Sequence, residues 1–309
     1  MTGRVPEVSV LLSAFNGSAH LSEQLDSLVG QTYRHLTIHA RDDGSSDGTG
    51  SILRRYAAKY PKIHLHSGER LGIAASFFCL LQGGGEDSEY FAFCDQDDVW
   101  YADKIERAVS KLSAVQPGVP ALYTSRLEYV NEELAHLRYS RPPRRELLFQ
   151  NALVENCATG CTVVLNRAAR DMIVSRLPGN RVMHDWWCYL VVAAFGVVIY
   201  DGSPTLKYRL HGGNETGAAV SFSDNIARRA RRFWVNRRDA FRIHAQAQEF
   251  ASIYADRLSH DRRQLLARFL ASKRSLTARI RYALDPGVYR QSRLDDVMLR
   301  ALIVSSLDL

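Results

Sequence analysis

Short apolar runs alternate with amphipathic helical stretches through the first half of the chain, and this alternation limits the fold more than any other feature. Between the runs, apolar residues recur at helical spacing, as Leu21, Leu25 and Leu28 do. Strands separated by crossover helices form an α/β sheet. Strands are predicted at Val8 to Leu12, Leu36 to Ala40, Ile63 to Leu65 and Tyr90 to Cys94.

The second half of the chain is less regular and ends in a basic region. We predict extended segments at Leu122 to Val130, Cys161 to Leu165 and Val197 to Ile199, and a helix from Trp186 to Ala194. Residues 220–309 read as helical and contain 18 Lys and Arg against 9 Asp and Glu, whereas the other 219 residues contain 22 against 24. This split predicts a catalytic domain at residues 1–219 and a basic helical appendage at residues 220–309.

The bulk composition is typical of a globular protein. The chain is 46% hydrophobic and 24% charged, and its longest apolar run, Leu190 to Tyr200, is about half of a membrane span. No basic stretch followed by an apolar core marks a signal peptide. The five cysteines lack disulfide or zinc spacing, which predicts buried free thiols. We therefore expect a cytoplasmic protein that is not integral to a membrane.

Polar clusters follow three of the predicted strands at the point where each strand ends. They are Ser13 to Gly17, Arg41 to Thr49, and Asp95 to Asp98. Open α/β sheets bind ligands just beyond the carboxyl ends of their strands, so we expect the three clusters to line one cleft. No Gly-x-Gly-x-x-Gly follows the first strand, and this argues against a dinucleotide dehydrogenase.

The acidic cluster after the fourth strand predicts a metal site. Side chains at positions i and i+2 of an extended segment point to the same side, so Asp95 and Asp97 would project together and repel unless a cation lies between them. Oxygen ligands of this kind suit Mg²⁺ or Mn²⁺ with a diphosphate. The competing interpretation is that Asp98 or Asp103 caps the following helix, and we prefer it for Asp103 alone.

The cluster after the second strand allows two interpretations. Asp-Asp-Gly-Ser-Ser-Asp-Gly is ordinary turn sequence, and Asp47 is expected to cap the next helix. Asp42 and Asp43 end the strand directly, which suits them to accept hydrogen bonds from a nucleobase or ribose.

Taken in order, these segments resemble the motifs of the family 2 inverting glycosyltransferases with the GT-A fold, a Rossmann-like mixed sheet flanked by helices. Two further segments resemble the rhamnosyltransferase branch, which builds bacterial O-antigen and cell-wall polysaccharides. The resemblance spans about Val8 to Gly217. The segments are Ser13-Ala14-Phe15-Asn16-Gly17, Gln31-Thr32-Tyr33, Asp42 to Thr49, Phe93 to Trp100, His184-Asp185-Trp186-Trp187 and Tyr208 to Asn214.

The resemblance implies a role for each matching residue. Asp95 and Asp97 form the family's Asp-x-Asp motif, with Asp97 the direct metal ligand and Asp98 a supporting group, and His211 holds the metal or diphosphate. Asp185 takes the position of the catalytic base. Arg70-Leu71-Gly72 departs from the usual Asn-x-Gly, but we assign Arg70 to the donor. The other residues assigned to the nucleotide-sugar are Ser13, Ala14, Asn16, Asp42, Asp43 and Asp95.

The chemistry of transfer agrees with these roles. A departing nucleoside diphosphate gains negative charge that a divalent ion stabilises, and a carboxylate must take the proton of a weakly nucleophilic hydroxyl. Attack from the opposite face inverts the anomeric carbon. The aromatic faces of Trp186 and Trp187 suit an acceptor sugar. The alternative is that Asp185 caps its helix and both tryptophans are core, and the two roles can coexist.

We therefore expect transfer of L-rhamnose from dTDP-L-rhamnose to a hydroxyl of a glycan or lipid-linked saccharide, with a UDP-hexose donor as the alternative. A non-catalytic scaffold subunit and a nucleotidyltransferase are rivals from other classes. Arginines between Arg228 and Arg238 surround Phe233 and Trp234, which suits a solvated face, a packing surface or contact with an anionic membrane. No nucleic-acid-binding module is recognised.

Overall fold

The computed structural model describes residues 5–179, 182–210, 243–272 and 275–305. Its strands are β1 Val8–Ala14, β2 Leu36–Asp42, β3 Ile63–Ser67, β4 Tyr90–Cys94, β5 Val99–Trp100, β6 Ala121–Val130, β7 His136–Tyr139, β8 Val164–Asn166 and β9 Val197–Arg209. Its helices are α1 Leu21–Val29, α2 Thr49–Lys59, α3 Ile73–Gly83, α4 Lys104–Leu112, α5 Phe149–Ala152, α6 Arg167–Val174, α7 His184–Phe195, α8 at 243–254, α9 His260–Ala271, α10 Leu276–Leu284 and α11 Arg293–Ser305.

The described strands form one mixed sheet in the order β3-β2-β1-β4-β8-β6-β9-β5, with β7 paired to β6. Strands β3, β2, β1 and β4 run parallel to one another, because a segment containing a helix connects each of β1, β2 and β3 to the next strand. Strand β8 is antiparallel to both β4 and β6, and β9 pairs with β6 in parallel. The predicted mixed α/β sheet flanked by helices is confirmed.

The sheet is covered on both faces, which explains why its central strands read as continuous apolar runs. Every residue of β4 is buried, and so is nearly all of β1. Helix α4 shows the complementary pattern: its stripe of Ile105, Ala108, Val109 and Leu112 is buried while its other face is polar. This core holds the carboxyl ends of the parallel strands in place.

Several local predictions differ from the structure. The strand predicted from Cys161 begins only at Val164, because Gly160–Thr162 form a 3₁₀ turn. Asp103 occupies the N-cap position of α4, but its side chain makes no capping hydrogen bond. The N-cap position of α2 belongs to Gly48 rather than to Asp47, although Asp47 accepts a hydrogen bond from the Thr49 amide at 2.9 Å. Cys79 is exposed rather than buried, whereas Cys94, Cys161 and Cys188 are buried free thiols.

The chain divides into two compact units. One comprises residues 1–142 and 158–214, and the other comprises residues 143–157 and 215–309. Within the second unit, Gln291 accepts hydrogen bonds from the amides of Arg144 and Arg145 at 2.9 and 2.8 Å, and Asn151 donates to the carbonyl of Tyr289 at 3.1 Å. These bonds join a segment of mid-chain sequence to the C-terminal helices. None of the helices described is both long and apolar enough to cross a bilayer.

Candidate active site

The carboxyl ends of β1, β2 and β4 lie side by side. Ala14 pairs with Asp42 across β1 and β2, and Leu12 pairs with Cys94 across β1 and β4. The segments that follow these strands therefore start at the same edge of the sheet. This is the geometry in which parallel strands gather polar groups from distant parts of the sequence.

Gln96 joins the loop after β1 to the acidic segment that follows β4, Asp95 to Asp98. Its side-chain oxygen accepts a hydrogen bond from the Phe15 amide at 2.8 Å, and its side-chain nitrogen donates to the Phe15 carbonyl at 3.1 Å. The side chain lies where a Cβ of residue 17 would stand, so position 17 requires glycine. Sequence reasoning missed Gln96, although its place inside the Asp-x-Asp motif and the glycine opposite were available signals.

The other residues assigned to the donor in the loops after β1 and β2 also hold these loops together. Asn16 has a positive φ of 49°, and its side-chain oxygen accepts a hydrogen bond from the Ser46 amide at 2.9 Å. Ser13 and Ser76 share a hydrogen bond of 2.6 Å, and Ala14 is buried. Asp42 accepts a hydrogen bond from the Ser45 amide at 3.0 Å.

Asp43 is buried and organises the segment after β3. It pairs with the Arg41 guanidinium and accepts hydrogen bonds from the amides of Leu71 and Gly72, both at 2.8 Å. These contacts fix the backbone that carries Arg70. The exposed guanidinium of Arg70 lies over the Phe15 ring, 4.0 Å from its centre. Arg70 and Phe15 therefore present a flat, positively charged surface at the edge of the site.

The acidic segment, Asp95 to Asp98, does not continue β4 as an extended strand, so strand alternation is not what brings Asp95 and Asp97 together. The chain bends after Cys94, and the ligand atoms of Asp95, Asp98 and Cys161 lie within 4.8 Å of one another. Asp97 stays close enough for its charge to act on both neighbours. Burial raises the pKa of Asp95 to about 7, and the charges of Asp97 and Asp185 add to this rise.

A divalent cation fits this cluster. Asp98 is only 1% exposed, and burial, with the charges of Asp97 and Asp95, raises its pKa. The Cys161 thiol is near enough to interact with the Asp98 carboxyl, yet among the described residues Asp98 Oδ2 has no partner within ordinary hydrogen-bond geometry. Buried acidic oxygens of this kind are costly unless a cation or donor satisfies them. Carboxylate oxygens are the ligands that Mg²⁺ and Mn²⁺ prefer.

Lys104 is a buried cation beneath the cluster that sequence reasoning did not single out. Its ammonium donates a hydrogen bond to the Cys161 carbonyl and lies 3.7 Å from the centre of the Trp100 ring. Burial lowers its pKa to about 8, while the charges of Asp98 and Asp95 oppose that shift. Lys104 therefore offsets part of the negative charge.

Arg209 anchors the end of β9 to the acidic segment. Its amide donates to Asp98 Oδ1 at 3.3 Å, and its Nε donates to the Asp97 carbonyl at 3.0 Å. The guanidinium also contacts Glu23 and the carbonyl of Glu132. The chain thus leaves β9 beside the carboxylates. His211, predicted to hold the metal or diphosphate, lies outside the described residues, as do the arginines at 228–238.

Asp185 lies in the first turn of α7, where the helix dipole favours a negative charge. Its carboxylate accepts hydrogen bonds from the amides of Gly160 at 3.1 Å and Trp186 at 2.6 Å. The N-cap position belongs to Met183, so Asp185 is not the capping residue. Because its charge acts on Asp95, the candidate base belongs to the same site as the acidic cluster.

The two tryptophans after Asp185 differ in exposure. Trp186 is partly exposed, whereas Trp187 has no exposed surface. Consecutive helical residues point in directions about 100° apart, so one ring faces the core while the other reaches the surface. The expectation that Trp187 contacts an acceptor therefore requires correction: its ring is part of the core. His184 is also buried, stacked on Phe77 with ring centres 4.1 Å apart.

A cleft of about 230 Å³ opens beside the segment after β3 that carries Arg70. It is bounded by the first turn of α3 and by the segment that precedes α7. The lining residues include Leu71, Gly72, Ile73, Phe78, Pro178 and Val182. Its lining residues are apolar, and its place between the segment after β3 and the segment that precedes α7 suits a ligand ring.

Comparison with solved structures identifies the fold as the GT-A fold of glycosyltransferases. Residues 1–349 of S. aureus TarS, in complex with UDP, align with a TM-score of 0.59 and 13% identity, over 90% of this chain and 75% of that TarS fragment. The mannosyltransferase PcManGT from Pyrobaculum calidifontis, in complex with GDP-Man and Mn²⁺, aligns with a TM-score of 0.53 and 18% identity, over 98% of this chain and 86% of that chain.

Residues 9–173 match the model of glycosyl transferase family 2, and the chain belongs to that family. It is 28% identical over 234 residues to the dTDP-rhamnosyl transferase RfbG of Shigella flexneri, covering 70% of this chain and 77% of RfbG. It is 26% identical over 247 residues to the putative teichuronic acid biosynthesis glycosyltransferase TuaG of Bacillus subtilis, covering 79% and 92%. The prediction that the chain belongs to family 2 of the glycosyltransferases is confirmed.

Proposed function

We propose that this glycosyltransferase is an inverting, metal-dependent enzyme that moves L-rhamnose from dTDP-L-rhamnose to a hydroxyl of a glycan or lipid-linked saccharide in bacterial surface polysaccharide synthesis. One observation carries the proposal: Asp185, oriented by the Gly160 amide, belongs to the same site as the carboxylates of Asp95, Asp97 and Asp98. The similarity to a dTDP-rhamnosyl transferase supports the choice of donor.

The residues that would hold Mg²⁺ or Mn²⁺ are Asp95 and Asp97, with Asp98 as a supporting group and His211 from the segment after β9. When bound, the cation stabilises the negative charge that develops on the departing diphosphate. Lys104, which binds the Cys161 carbonyl, and Arg209, which binds the Asp97 carbonyl, support the acidic segment. A PcManGT complex that contains Mn²⁺ supports this role.

We assign the proton transfer to Asp185. Its carboxylate would take the proton of the acceptor hydroxyl while that oxygen attacks the anomeric carbon from the face opposite the leaving group, which inverts the configuration. Two backbone amides orient the carboxylate in the first turn of α7. Trp186, partly exposed beside it, is the aromatic surface available to an acceptor sugar.

The donor would lie over the loops after β1, β2 and β3. Arg70 and the Phe15 ring form a charged, flat surface suited to a nucleotide. The residues assigned to nucleotide-sugar binding, directly or by shaping these loops, are Ser13, Ala14, Asn16, Asp42, Asp43, Arg70 and Asp95. We also propose that residues 1–219 form the catalytic domain, that the protein is cytoplasmic, and that the basic region 220–309 contacts an anionic membrane.

A UDP-hexose donor is the second candidate. WfgD of Escherichia coli, a UDP-Glc:alpha-D-GlcNAc-diphosphoundecaprenol beta-1,3-glucosyltransferase, is 27% identical over 161 residues, covering 52% of this chain and 60% of WfgD. TarS also aligns as a UDP-GlcNAc complex, with a TM-score of 0.57. A second donor of this kind would use the same carboxylates and differ in its contacts with the base and sugar.

Donor hydrolysis separates these candidates. The full chain is incubated with Mg²⁺ and, in parallel, dTDP-L-rhamnose, dTDP-glucose, UDP-glucose, UDP-GlcNAc and GDP-mannose. We expect nucleoside diphosphate to be released fastest from dTDP-L-rhamnose. Faster release from a UDP-sugar would select the second candidate, pyrophosphate release would indicate a nucleotidyltransferase, and no release with any donor would favour a scaffold subunit.

A further inference from the structure

Three histidines cluster on the outer strands of the sheet, away from the acidic segment. His39 of β2 pairs in register with His64 of β3, and His66 lies two residues farther along β3. Residues i and i+2 of a strand share a face, so all three side chains lie on the same side of the sheet. Strand β3 is an outermost strand of the described sheet.

His39 and His66 place two ring nitrogens at a separation that suits a shared cation. His39 Nδ1 and His66 Nε2 are 3.2 Å apart. The His39 ring stacks on His64 with ring centres 5.3 Å apart, and on His66 with ring centres 5.5 Å apart. His39 is 9% exposed, whereas His64 and His66 are exposed. One imidazole is therefore held in the sheet while the other two are accessible from solvent.

We propose that His39, His64 and His66 form a second metal site, which takes a borderline divalent transition cation such as Zn²⁺. Two nitrogens bound to a tetrahedral Zn²⁺ stand about 3.3 Å apart, since each Zn–N bond is about 2.0 to 2.1 Å. The His39–His66 pair already has this separation. His64 supplies the third nitrogen by turning its exposed ring about its side-chain bonds, and water completes the shell.

The surroundings suit a cation that binds imidazole. Burial and the neighbouring histidines lower the pKa of His39 to about 4, and burial, His64 and Arg41 lower that of His66. The lowered pKa values of His39 and His66 favour the neutral imidazole, which is the form that binds a metal. The positive charge of Arg41 acts on His66, and Asp43 pairs with the Arg41 guanidinium.

The site is chemically distinct from the acidic cluster. Imidazole nitrogens favour Zn²⁺, Ni²⁺ and Cu²⁺, whereas carboxylate oxygens suit Mg²⁺ and Mn²⁺. A bound cation would tie β3 to β2 at the sheet margin, directly before the segment that carries Arg70. The proposal does not depend on which sugar is transferred.

Zn²⁺ titration of the full chain by calorimetry in saturating Mg²⁺ tests the site. We expect wild type to bind Zn²⁺, and His39→Gln and His66→Gln each to weaken binding at least about tenfold. His35→Gln, an exposed histidine outside the cluster, and Asp97→Asn should bind as wild type does. Zn²⁺ should raise the melting temperature of wild type and not that of His66→Gln.

His66 is exposed, so its variant keeps the fold and decides the outcome even where His39→Gln does not fold. The proposal is overturned if His66→Gln binds Zn²⁺ as tightly as wild type. It is equally overturned if Asp97→Asn, rather than the histidine variants, abolishes binding, because the cation would then belong to the acidic cluster.

Discussion

The side chain of Gln96 fills the space that a Cβ at position 17 would need, so Gly17→Ala should release the loop after β1 from the acidic segment. An alanine Cβ would fall 2.9 Å from Gln96 Nε2 and closer still to Oε1 and Cδ. Gln96 must then move, and both of its hydrogen bonds to Phe15 are lost. Gly17 is not among the glycines with positive φ, so the backbone itself accepts alanine.

The size of the effect follows from these two bonds. Each contributes about 1 kcal/mol net, so Gly17→Ala should lower the free energy of unfolding by about 2 kcal/mol. For a domain of this size the melting temperature should fall by about 4 to 8 °C. Gln96→Ala removes the same bonds and should cost a similar amount. The three atoms nearest the added Cβ all belong to Gln96, so Gly17→Ala should cost little in the Gln96→Ala background.

Urea unfolding of the four proteins of this double-mutant cycle measures the coupling, which we expect to be about 2 kcal/mol. Gly83→Ala is the matched control, because a Cβ at position 83 meets no atom within 4 Å. It should be neutral or slightly stabilising. Additive effects of Gly17→Ala and Gln96→Ala would refute the reasoning, since the two residues would then act on stability by separate routes.

Four further predictions address the proposed roles. Asp185→Asn should lower turnover about 10² to 10⁴-fold and leave calorimetric binding of dTDP with Mn²⁺ nearly unchanged; retained turnover would remove its role as base. Asp97→Ala should abolish the Mn²⁺-dependent rise in melting temperature caused by dTDP, and an undiminished rise would exclude Asp97 as a ligand. Trp187→Ala should cost about 3 to 5 kcal/mol of unfolding free energy, whereas Trp186→Ala should raise the acceptor KM with little loss of stability; equal losses would contradict their different burial. Burial lowers the pKa of His184 to about 4 in the folded chain, whereas an unfolded histidine has a pKa near 6.5. As the pH falls from about 6.5 to 4, the unfolded chain therefore binds a proton that the folded chain does not, and the free energy of unfolding decreases. His184→Phe removes this group, so the decrease in the free energy of unfolding between pH 7 and pH 4.5, measured with urea, should be smaller than in wild type by up to about 3 kcal/mol. An equal decrease in both proteins would show that His184 is not its source.

The repeating pattern of the sequence predicted the first half of the fold well. Strands β1 to β4 and the helices between them follow from apolar runs and helical spacing. Each helix buries one apolar stripe, and each central parallel strand is buried on both faces, so both leave a recognisable pattern in the sequence. The grouping of Asn16, Asp43 and Asp95 at one edge followed from the same pattern, since parallel strands present their carboxyl ends together. The prediction was weaker where the local pattern has no period, as at the turn Gly160–Thr162.

Sequence alone determined that this chain forms a helix-flanked mixed sheet and that acidic residues follow its central strands, because periodicity and strand ends are local properties of the chain. Only the tertiary structure decided that Asp98 and Cys161 join Asp95, that Lys104 lies beneath them, and that Gln96 fills the space opposite Gly17. Cys161 is 57 positions from Lys104 in the sequence, and Gln96 is 79 positions from Gly17. The geometry of these contacts depends on how strands pair and loops bend, which no local pattern encodes.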